Sequence, residues 1–164
     1  MVLYPRELKV SRSLRKRLRS GRYTTRIDHD FAATIRQCAA PRRSGSETWL
    51  NDAMIRAYQR MFDLGFAHSI ETYLADELVG GLYGIHMGGV FFGESMFSRA
   101  SDASKVAMVR LVEECAPRGI ALIDCQVASS HLASLGAREV SRADFAAQLR
   151  AHARRAPCGR WTGP

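Results

Sequence analysis

The stretch Ala67-His-Ser-Ile-Glu-Thr-Tyr-Leu-Ala-Asp-Glu-Leu-Val-Gly-Gly-Leu-Tyr-Gly-Ile-His-Met-Gly-Gly-Val-Phe-Phe-Gly93 contains three strand-like segments. They cover residues 67–74, 78–86 and 89–93. Ala75-Asp-Glu77 separates the first two, and Gly88-Gly89, a typical hairpin dipeptide, separates the last two. Because such short connections join antiparallel neighbours, the stretch predicts an antiparallel meander.

Upstream of the meander, the pattern predicts helices and one strand. A basic helix starts at Ser11 and stops at Gly21, and residues 23–27 form a strand. A second helix, capped by Asp28 or Asp30, runs through Cys38. Residues 41–46 have loop composition, and a helix capped by Thr48 is predicted over about 49–64.

Downstream, a helix is predicted over about 102–117, capped by Ser101 or Asp102. A strand over 121–127, a short helix over 129–135, a short strand over 137–140 and a helix from Ser141 follow. The order indicates an α+β (mixed α/β) fold with helices on the faces of the sheet. We expect one domain over residues 1–155, including the basic segment of about 1–28, and a loose tail over 156–164.

Composition narrows the class of protein. The chain has 164 residues, 46% of them hydrophobic, which suffices for one packed domain, and no apolar run could span a bilayer. No signal pattern is present, so a cytoplasmic protein is expected. The cysteines (Cys38, Cys115, Cys125 and Cys158) are scattered, which disfavours zinc and disulfide frameworks.

The chain is strongly basic, with a formal net charge of +8 and a pI of about 9.9. A basic domain of this size commonly meets a polyanion, and nucleic acid is the expected one. The alternative is a basic surface that binds nothing.

Two polar interruptions mark a candidate site. Asp124 and Gln126 stand two residues apart in the apolar segment 121–127, so on a strand they would share a face. Burying a charge there is costly unless it is paired, which favours a functional role over a purely structural one. Cys125 would point to the opposite face, into the core. Gly93-Glu-Ser-Met-Phe-Ser-Arg99 has the same mixed character.

Several ordered motifs resemble one family. Gly93-Glu-Ser-Met-Phe-Ser-Arg99, Ala103-Ser-Lys105, Ile123-Asp-Cys-Gln126 and His131-Leu-Ala-Ser-Leu-Gly136 resemble the bacterial leucyl/phenylalanyl-tRNA–protein transferases. Further matches are Thr48-Trp49, Ala67-His-Ser-Ile-Glu71 and Gly80-Gly81-Leu-Tyr-Gly84, so the resemblance covers about residues 2–150.

The resemblance implies a GNAT-like acyltransferase fold with a central, mostly antiparallel sheet flanked by helices. It also implies transfer of leucine or phenylalanine, with methionine as a further candidate, from aminoacyl-tRNA to proteins with an N-terminal Arg or Lys. Such proteins then enter N-end-rule degradation. No metal, diffusible cofactor or membrane partner is implied, and a monomer is expected.

Members of this family also carry a small N-terminal domain with an aromatic motif. This chain begins where that domain would end, so we expect the C-terminal catalytic domain without it. Its absence would weaken tRNA binding.

The resemblance assigns Asp124 and Gln126 to the catalytic centre. In one hypothesis the carboxamide, polarised by the aspartate, accepts the proton of the attacking amine. A carboxamide is a very weak base, so in the second hypothesis Gln126 orients the amine, Asp124 sets the local field, and the ribose hydroxyl or water carries the proton. Glu94 is implied near the acceptor or the aminoacyl group, with Glu71 a weaker candidate for similar work.

The family's apolar pocket maps onto six residues, each of which would serve equally well in the core: Leu82, Phe91, Met96, Met108, Leu111 and Ile123. Leu82 and Leu111 replace bulkier residues of relatives. Trp49 resembles a tryptophan that stacks near the terminal adenosine. The cations expected to meet the tRNA backbone are Arg12, Arg15, Lys16 and Arg19, with Arg6, Lys9, Arg42 and Arg43.

His68, His86 and His131 are interpreted as structural, because the sequence places no carboxylate or cysteine beside them. Three other functions remain as alternatives: an acetyl-CoA-dependent GNAT acetyltransferase, a peptidoglycan-bridge transferase, and an inactive tRNA-binding fragment. The helix start Ser101-Asp-Ala-Ser104 lacks the glycine-rich turn that would hold a pyrophosphate, which disfavours the first.

Overall fold

The computed structural model describes residues 1–40, 50–153 and 159–161. These form one six-stranded sheet in the order β1-β6-β5-β4-β3-β2. The strands are β1 (Val2–Leu3), β2 (Tyr23–Ile27), β3 (Ala67–Leu74), β4 (Glu77–Met87), β5 (Val90–Ser98) and β6 (Leu122–Asp124). The helices are α1 (Arg12–Arg19), α2 (Phe31–Ala39), α3 (Asp52–Asp63), α4 (Ala103–Cys115), α5 (Ser130–Ser134) and α6 (Arg142–His152).

The predicted meander is confirmed as β3, β4 and β5, paired antiparallel. Gly88, at a φ of 60°, turns the chain between β4 and β5 in a conformation that glycine adopts without strain. The third strand is longer than expected: it runs on through the Gly-Glu-Ser-Met-Phe segment to Ser98 instead of ending at Gly93. The polar interruption therefore lies inside a strand.

The predicted strand over 121–127 is wrong at both ends. β6 holds only Leu122–Asp124, which pairs in parallel with Val90–Phe92 of β5 and antiparallel with β1. Gln126 has a φ of 56°, a left-handed conformation that no strand contains, so the chain turns away from the sheet after β6. The short strand predicted over residues 137–140 is also absent as a strand, and this segment makes a single β-bridge, between Arg138 and Val2.

Helix starts follow side-chain caps. Ser11 and Asp30 accept hydrogen bonds from the backbone N–H of Leu14 and Ala33, so α1 and α2 begin as predicted and Asp30 is the cap of α2. α3 is capped by Asn51 and begins at Asp52, three residues later than the expected start. Thr48, the cap that the sequence predicted for this helix, lies outside the described residues, as does Cys158.

The sheet has a different core on each face. Leu82, Phe91 and Ile123 pack with α4 on one face, while Tyr83 packs with α2 and α3 on the other. Successive positions of β4 point to opposite faces of the sheet. A Cβ on Gly80 would contact Ala103 of α4, whereas a Cβ on Gly81 would contact Thr34 of α2. The predicted sheet with helices on both faces is confirmed.

Trp161 lies within the segment 156–164 that was expected as a loose tail, and its side chain is only 4% exposed. Its ring stacks on that of His68 at 4.5 Å, and its indole N–H donates to His86 Nδ1 at 3.3 Å. The segment is rich in Gly and Pro, and its one large aromatic side chain packs against His68 of β3 and His86 of β4. Among the helices of the described segments, none is long and apolar enough to cross a membrane.

Candidate active site

A β-bulge in β5 sets the position of Glu94. Tyr83 pairs with Ser95 and Gly84 pairs with Gly93, so Glu94 is the extra residue and has no partner on β4. A bulge bends its strand and re-aims one side chain, and bulges are frequent beside functional sites. The backbone at this point turns the Glu94 carboxylate toward α3 and the segment that follows β6.

Glu94 accepts two hydrogen bonds through one oxygen. The Tyr58 hydroxyl donates to Glu94 Oε2 at 2.9 Å, and Gln126 Nε2 donates to the same atom at 3.3 Å. Burial raises the pKa of Tyr58, and the hydrogen bond and the charge of Glu94 raise it further. The phenol therefore stays protonated and remains a donor to the carboxylate.

Asp124 and Gln126 do come together, although not as strand neighbours on one face. The backbone N–H of Gln126 donates to Asp124 Oδ1 at 2.9 Å, and the N-terminal ammonium of Met1 donates to the Gln126 carbonyl at 3.1 Å. A left-handed residue other than glycine needs support from its surroundings. Asp124 supplies that support, so its carboxylate fixes the turn that carries the Gln126 side chain to Glu94.

A cavity of about 630 Å³ opens beside β5. Its walls contain all six residues of the predicted apolar pocket, namely Leu82, Phe91, Met96, Met108, Leu111 and Ile123. Glu94 and Gln126 lie on the same walls, while Asp124 stands behind them. The structure therefore brings together in one cleft the apolar and polar candidates that the sequence places on β4, β5, α4 and the β6 segment.

The cavity also holds residues for which the sequence analysis assigned no role in the site, among them Ser104, Ser129 and His131. Nε2 of His131 is buried without a hydrogen-bond partner among the described residues. Burial, followed by the charge of Lys105, lowers the pKa of His131. The signal available in the sequence was the motif His131-Leu-Ala-Ser-Leu-Gly136, whose first residue was interpreted as structural.

Cys125 lines the cavity but is not a ready nucleophile. Burial raises the pKa of its thiol to about 11, and the charge of Asp124 acts in the same direction. The thiolate is the reactive form of cysteine, so this thiol is inert near neutral pH.

Glu71 lies away from the cleft, fully buried within β3. It accepts from the Ser69 hydroxyl at 2.5 Å and from the His29 backbone N–H at 3.4 Å. Burial raises the pKa of Glu71 to about 7. The interpretation of the histidines needs one correction, because a carboxylate does lie beside His68. Its Nδ1 atom is 2.8 Å from Oδ2 of Asp28, the residue that follows β2.

The basic candidates of α1 form a second surface. An open surface cavity of about 970 Å³ is lined by Arg12, Arg15, Lys16 and Arg19. Within the described part of the chain, the α1 cation that pairs with a carboxylate is Arg17, at 3.8 Å from Asp102. Trp49, Arg42 and Arg43 lie outside the described residues.

In residues 1–40, 50–153 and 159–161, no three His, Cys, Asp or Glu side chains lie close enough together to hold a metal ion. The polar groups on the walls of the cleft include the Glu94 carboxylate, the Gln126 carboxamide and the His131 imidazole.

The fold has a counterpart among solved structures. L-PGS from Bacillus licheniformis superposes with a TM-score of 0.52 over 88% of this chain and 53% of that one, at 12% sequence identity. At this identity the likeness concerns the fold alone. The predicted central, mostly antiparallel sheet flanked by helices is confirmed.

The particular family follows from sequence. A family model for leucyl/phenylalanyl-tRNA protein transferase matches residues 2–150, and the chain belongs to that family. The leucyl/phenylalanyl-tRNA–protein transferase of Nitrosospira multiformis is 57% identical over 92% of this chain, and that of Thiobacillus denitrificans is 54% identical over 91%. The chain spans 65% of the length of each of these two relatives.

Proposed function

We propose that this chain transfers leucine or phenylalanine from aminoacyl-tRNA to the N-terminal Arg or Lys of an acceptor polypeptide. The observation that carries the proposal is the cleft beside β5, in which six apolar side chains, the Glu94 carboxylate and the Gln126 carboxamide share one cavity. Membership of the family supports the reaction class.

The apolar part of the cleft suits the side chain that is transferred. Met96 and Met108 line it, and methionine adapts its shape, which favours a pocket that accepts both Leu and Phe. A hydrophobic pocket separates side chains that differ by one methylene by only about 1–3 kcal/mol. Methionine is therefore an expected further substrate.

The polar part of the cleft suits the acceptor. An N-terminal Arg or Lys carries positive charge, and the Glu94 carboxylate stands where charge-assisted hydrogen bonds in a partly dry site are strong. The side-chain amide of Gln126 donates an N–H to Glu94, and its side-chain oxygen remains available to accept a hydrogen bond from the attacking amine. Gln126 and Glu94 together orient the amine toward the ester.

The reaction balances without a cofactor. The acceptor ammonium loses one proton, the neutral amine attacks the ester carbonyl, a C–N bond forms and the C–O bond to the ribose breaks. The nitrogen then gives up its second proton, directly or through water, and the released ribose oxygen takes up one proton, so that one proton is released to solvent overall. Because the ester is already activated, the protein contributes mainly positioning, which is worth several kcal/mol in well-oriented reactions. Asp124 acts by holding the turn of Gln126.

The tRNA would lie across α1. The four exposed cations of α1, Arg12, Arg15, Lys16 and Arg19, offer phosphate contacts that position a nucleic acid without reading its sequence. Trp49, Arg42 and Arg43 are proposed to extend this surface. Dependence on aminoacyl-tRNA assigns the reaction to the cytoplasm, where the product is marked for N-end-rule degradation.

Label transfer tests the proposal. The chain is incubated with radiolabelled Phe-tRNA and a hexapeptide that begins with Arg, and in parallel with labelled acetyl-CoA and the same peptide. We expect label on the peptide from the tRNA alone, and a peptide with an acetylated N-terminus as the matched control stays unlabelled. Binding of Phe-tRNA without transfer would identify an inactive fragment, and label from acetyl-CoA would identify an acetyltransferase.

A further inference from the structure

The outer edge of β5 is open beside the cleft. β6 pairs with β5 only as far as Phe92, whereas β5 continues to Ser98. The segment that leaves β6 bends away at Gln126 and returns as the far wall of the cavity. The last part of β5 is thus flanked by β4 on one side and by the cavity on the other.

The register identifies which backbone groups face the cavity. The N–H of Arg99 donates to the Val79 carbonyl at 2.7 Å, and antiparallel pairs alternate between bonded and non-bonded. Ser95 and Phe97 therefore direct their backbone groups to β4, while Met96 and Ser98 direct theirs outward. In the described part of the chain, no backbone partner faces these outward groups.

We propose that the acceptor polypeptide binds as an added strand along this edge of β5, with its backbone bonded to Met96 and Ser98. This proposal rests on the proposed function and specifies how its acceptor is held. An exposed strand edge is a template for pairing with an extended chain, and several peptide-binding domains use this mode.

The surroundings determine the direction of the added strand. The reacting amine has to lie at Glu94 and Gln126, where β6 ends, and β6 itself blocks the edge beyond Phe92. The polypeptide therefore runs from the Glu94 end toward Ser98, parallel to β5, and leaves at the exposed residues 98 and 99. In this arrangement the guest residue opposite Phe97 donates its N–H to the Met96 carbonyl and accepts from the Ser98 N–H.

Side-chain alternation agrees with this arrangement. Met96 lies on the α4 face with the apolar pocket, whereas Glu94 bonds to Tyr58 of α3 on the other face. Successive side chains of an extended chain point to opposite faces. A product that begins Leu-Arg or Phe-Arg would then place its first side chain in the pocket and its second beside Glu94.

Backbone-substituted acceptors test the proposal without changing any side chain. Hexapeptides that begin with Arg receive a single ester in place of the amide N–H at residue 3, 4 or 5. Residue 2 is left unchanged, because an ester there would alter the pKa of the attacking amine. We expect a rise of about five- to tenfold in the KM for the peptide, either at residues 3 and 5 or at residue 4, with the neighbouring positions unaffected.

A protein variant tests the same edge from the other side. Ser98→Pro removes the outward N–H and leaves the bonds to β4 in place, while Ser98→Ala keeps that N–H. Both variants lose the hydroxyl that bonds Ala100 and Ser104, so their difference reports the N–H. We expect Ser98→Pro to raise the KM for the peptide about five- to tenfold over Ser98→Ala, with the KM for Phe-tRNA unchanged.

The failures are separable. No transfer to the unsubstituted peptide contradicts the proposed function itself. Transfer with an equal KM for all three ester peptides overturns the added strand and leaves the proposed function standing. If Ser98→Pro does not fold, the ester series decides alone.

Discussion

At the scale of single residues, the cleft depends on one strained turn. Gln126 is one of four described residues other than glycine with a positive φ, and the Asp124 carboxylate bonds its N–H. Strained conformations persist only where the surroundings over-determine them, and they cluster at functional sites. The strain at Gln126 has an evident use, since it brings the carboxamide to Glu94.

The Glu94–Gln126 pair can be tested by exchanging its members. Gln126→Glu sets a second carboxylate against Glu94, where the amide nitrogen now lies 3.3 Å from Glu94 Oε2. Like charges at this distance repel, so the amine loses its orientation and we expect kcat to fall at least tenfold. The double variant Glu94→Gln/Gln126→Glu restores one amide and one carboxylate, and we expect it to recover part of that loss.

The measurement is single-turnover transfer of Phe to an Arg-peptide over a pH series. A Gln126→Glu variant that keeps full turnover with a shifted pH optimum would contradict the orienting role and favour proton acceptance at position 126.

Glu71 makes stability depend on pH. Its pKa is raised by burial from 4.5 to about 7 in the folded protein. Below pH 4.5 the group is protonated in both states. Between pH 4.5 and 7 the unfolded chain ionises while the folded one stays protonated, so the free energy of unfolding falls as pH rises. At about 1.4 kcal/mol per pKa unit the fall amounts to about 3 kcal/mol.

The matching experiment is urea unfolding of the parent and Glu71→Gln between pH 4.5 and 7.5. Gln keeps an acceptor for the Ser69 hydroxyl and has no charge, so we expect the variant to gain stability relative to the parent as pH rises. Glu77→Gln, at the exposed start of β4, is the control. Its free energy of unfolding relative to the parent should not change with pH. A constant gap between Glu71→Gln and the parent would show that Glu71 is not the source.

At the scale of elements, sequence periodicity located the meander and most helices, because alternation and caps are local signals. It did not find the ends of β5 and β6. Asp124 and Gln126 fit a strand pattern, but their spacing cannot show that a backbone N–H bonds the carboxylate across a left-handed turn. The Glu94 bulge is equally invisible, since it is defined by a register with β4.

The site residues were predictable for a different reason. All six pocket residues came from resemblance to a family, because composition alone could not separate them from the core. Gln126 and the segment of Glu94 stood out earlier, as polar interruptions of the sequence. Neither approach predicted the burial of Trp161, because a single tryptophan in a segment rich in Gly and Pro shows no periodicity and its place beside His68 is fixed by tertiary packing.

The contact of α4 with the sheet depends on Gly80. A Cβ at this position would lie 2.5 Å from the Ala103 Cβ, at the first turn of α4. Overpacking of this kind typically costs about 1–3 kcal/mol, so we expect Gly80→Ala to lower the free energy of unfolding by that amount. Because Met108 and Leu111 line the cleft from α4, the KM for Phe-tRNA should also rise.

Chemical denaturation and transfer kinetics check this prediction. Gly93→Ala is the control for stability, since its nearest atom would be the Asp124 carbonyl oxygen at 3.3 Å and a smaller loss is expected. Equal losses for the two variants would show that helix-to-sheet contact at Gly80 is not limiting.

At the scale of the whole molecule, charge and chemistry occupy different surfaces. The net charge of +8 is concentrated in part on α1, whose cations line their own cavity, while the apolar cleft lies beside β5. A nucleic acid held by α1 through its backbone would leave the cleft to the aminoacyl end. This separation predicts that salt and α1 substitutions affect tRNA binding and leave the chemical step unchanged.

Salt dependence gives the sharpest form of that prediction. Each phosphate contact adds about 0.7–0.9 to the slope of log affinity against log salt concentration. The triple variant Arg12→Gln/Arg15→Gln/Arg19→Gln should therefore lower the slope for Phe-tRNA by about 2–3, with single-turnover kcat at saturating tRNA unchanged. Arg142→Gln, an exposed cation on α6, is the matched control and should keep the parent slope. An unaltered slope in the triple variant would place the phosphate contacts elsewhere on the protein and remove α1 from the tRNA surface.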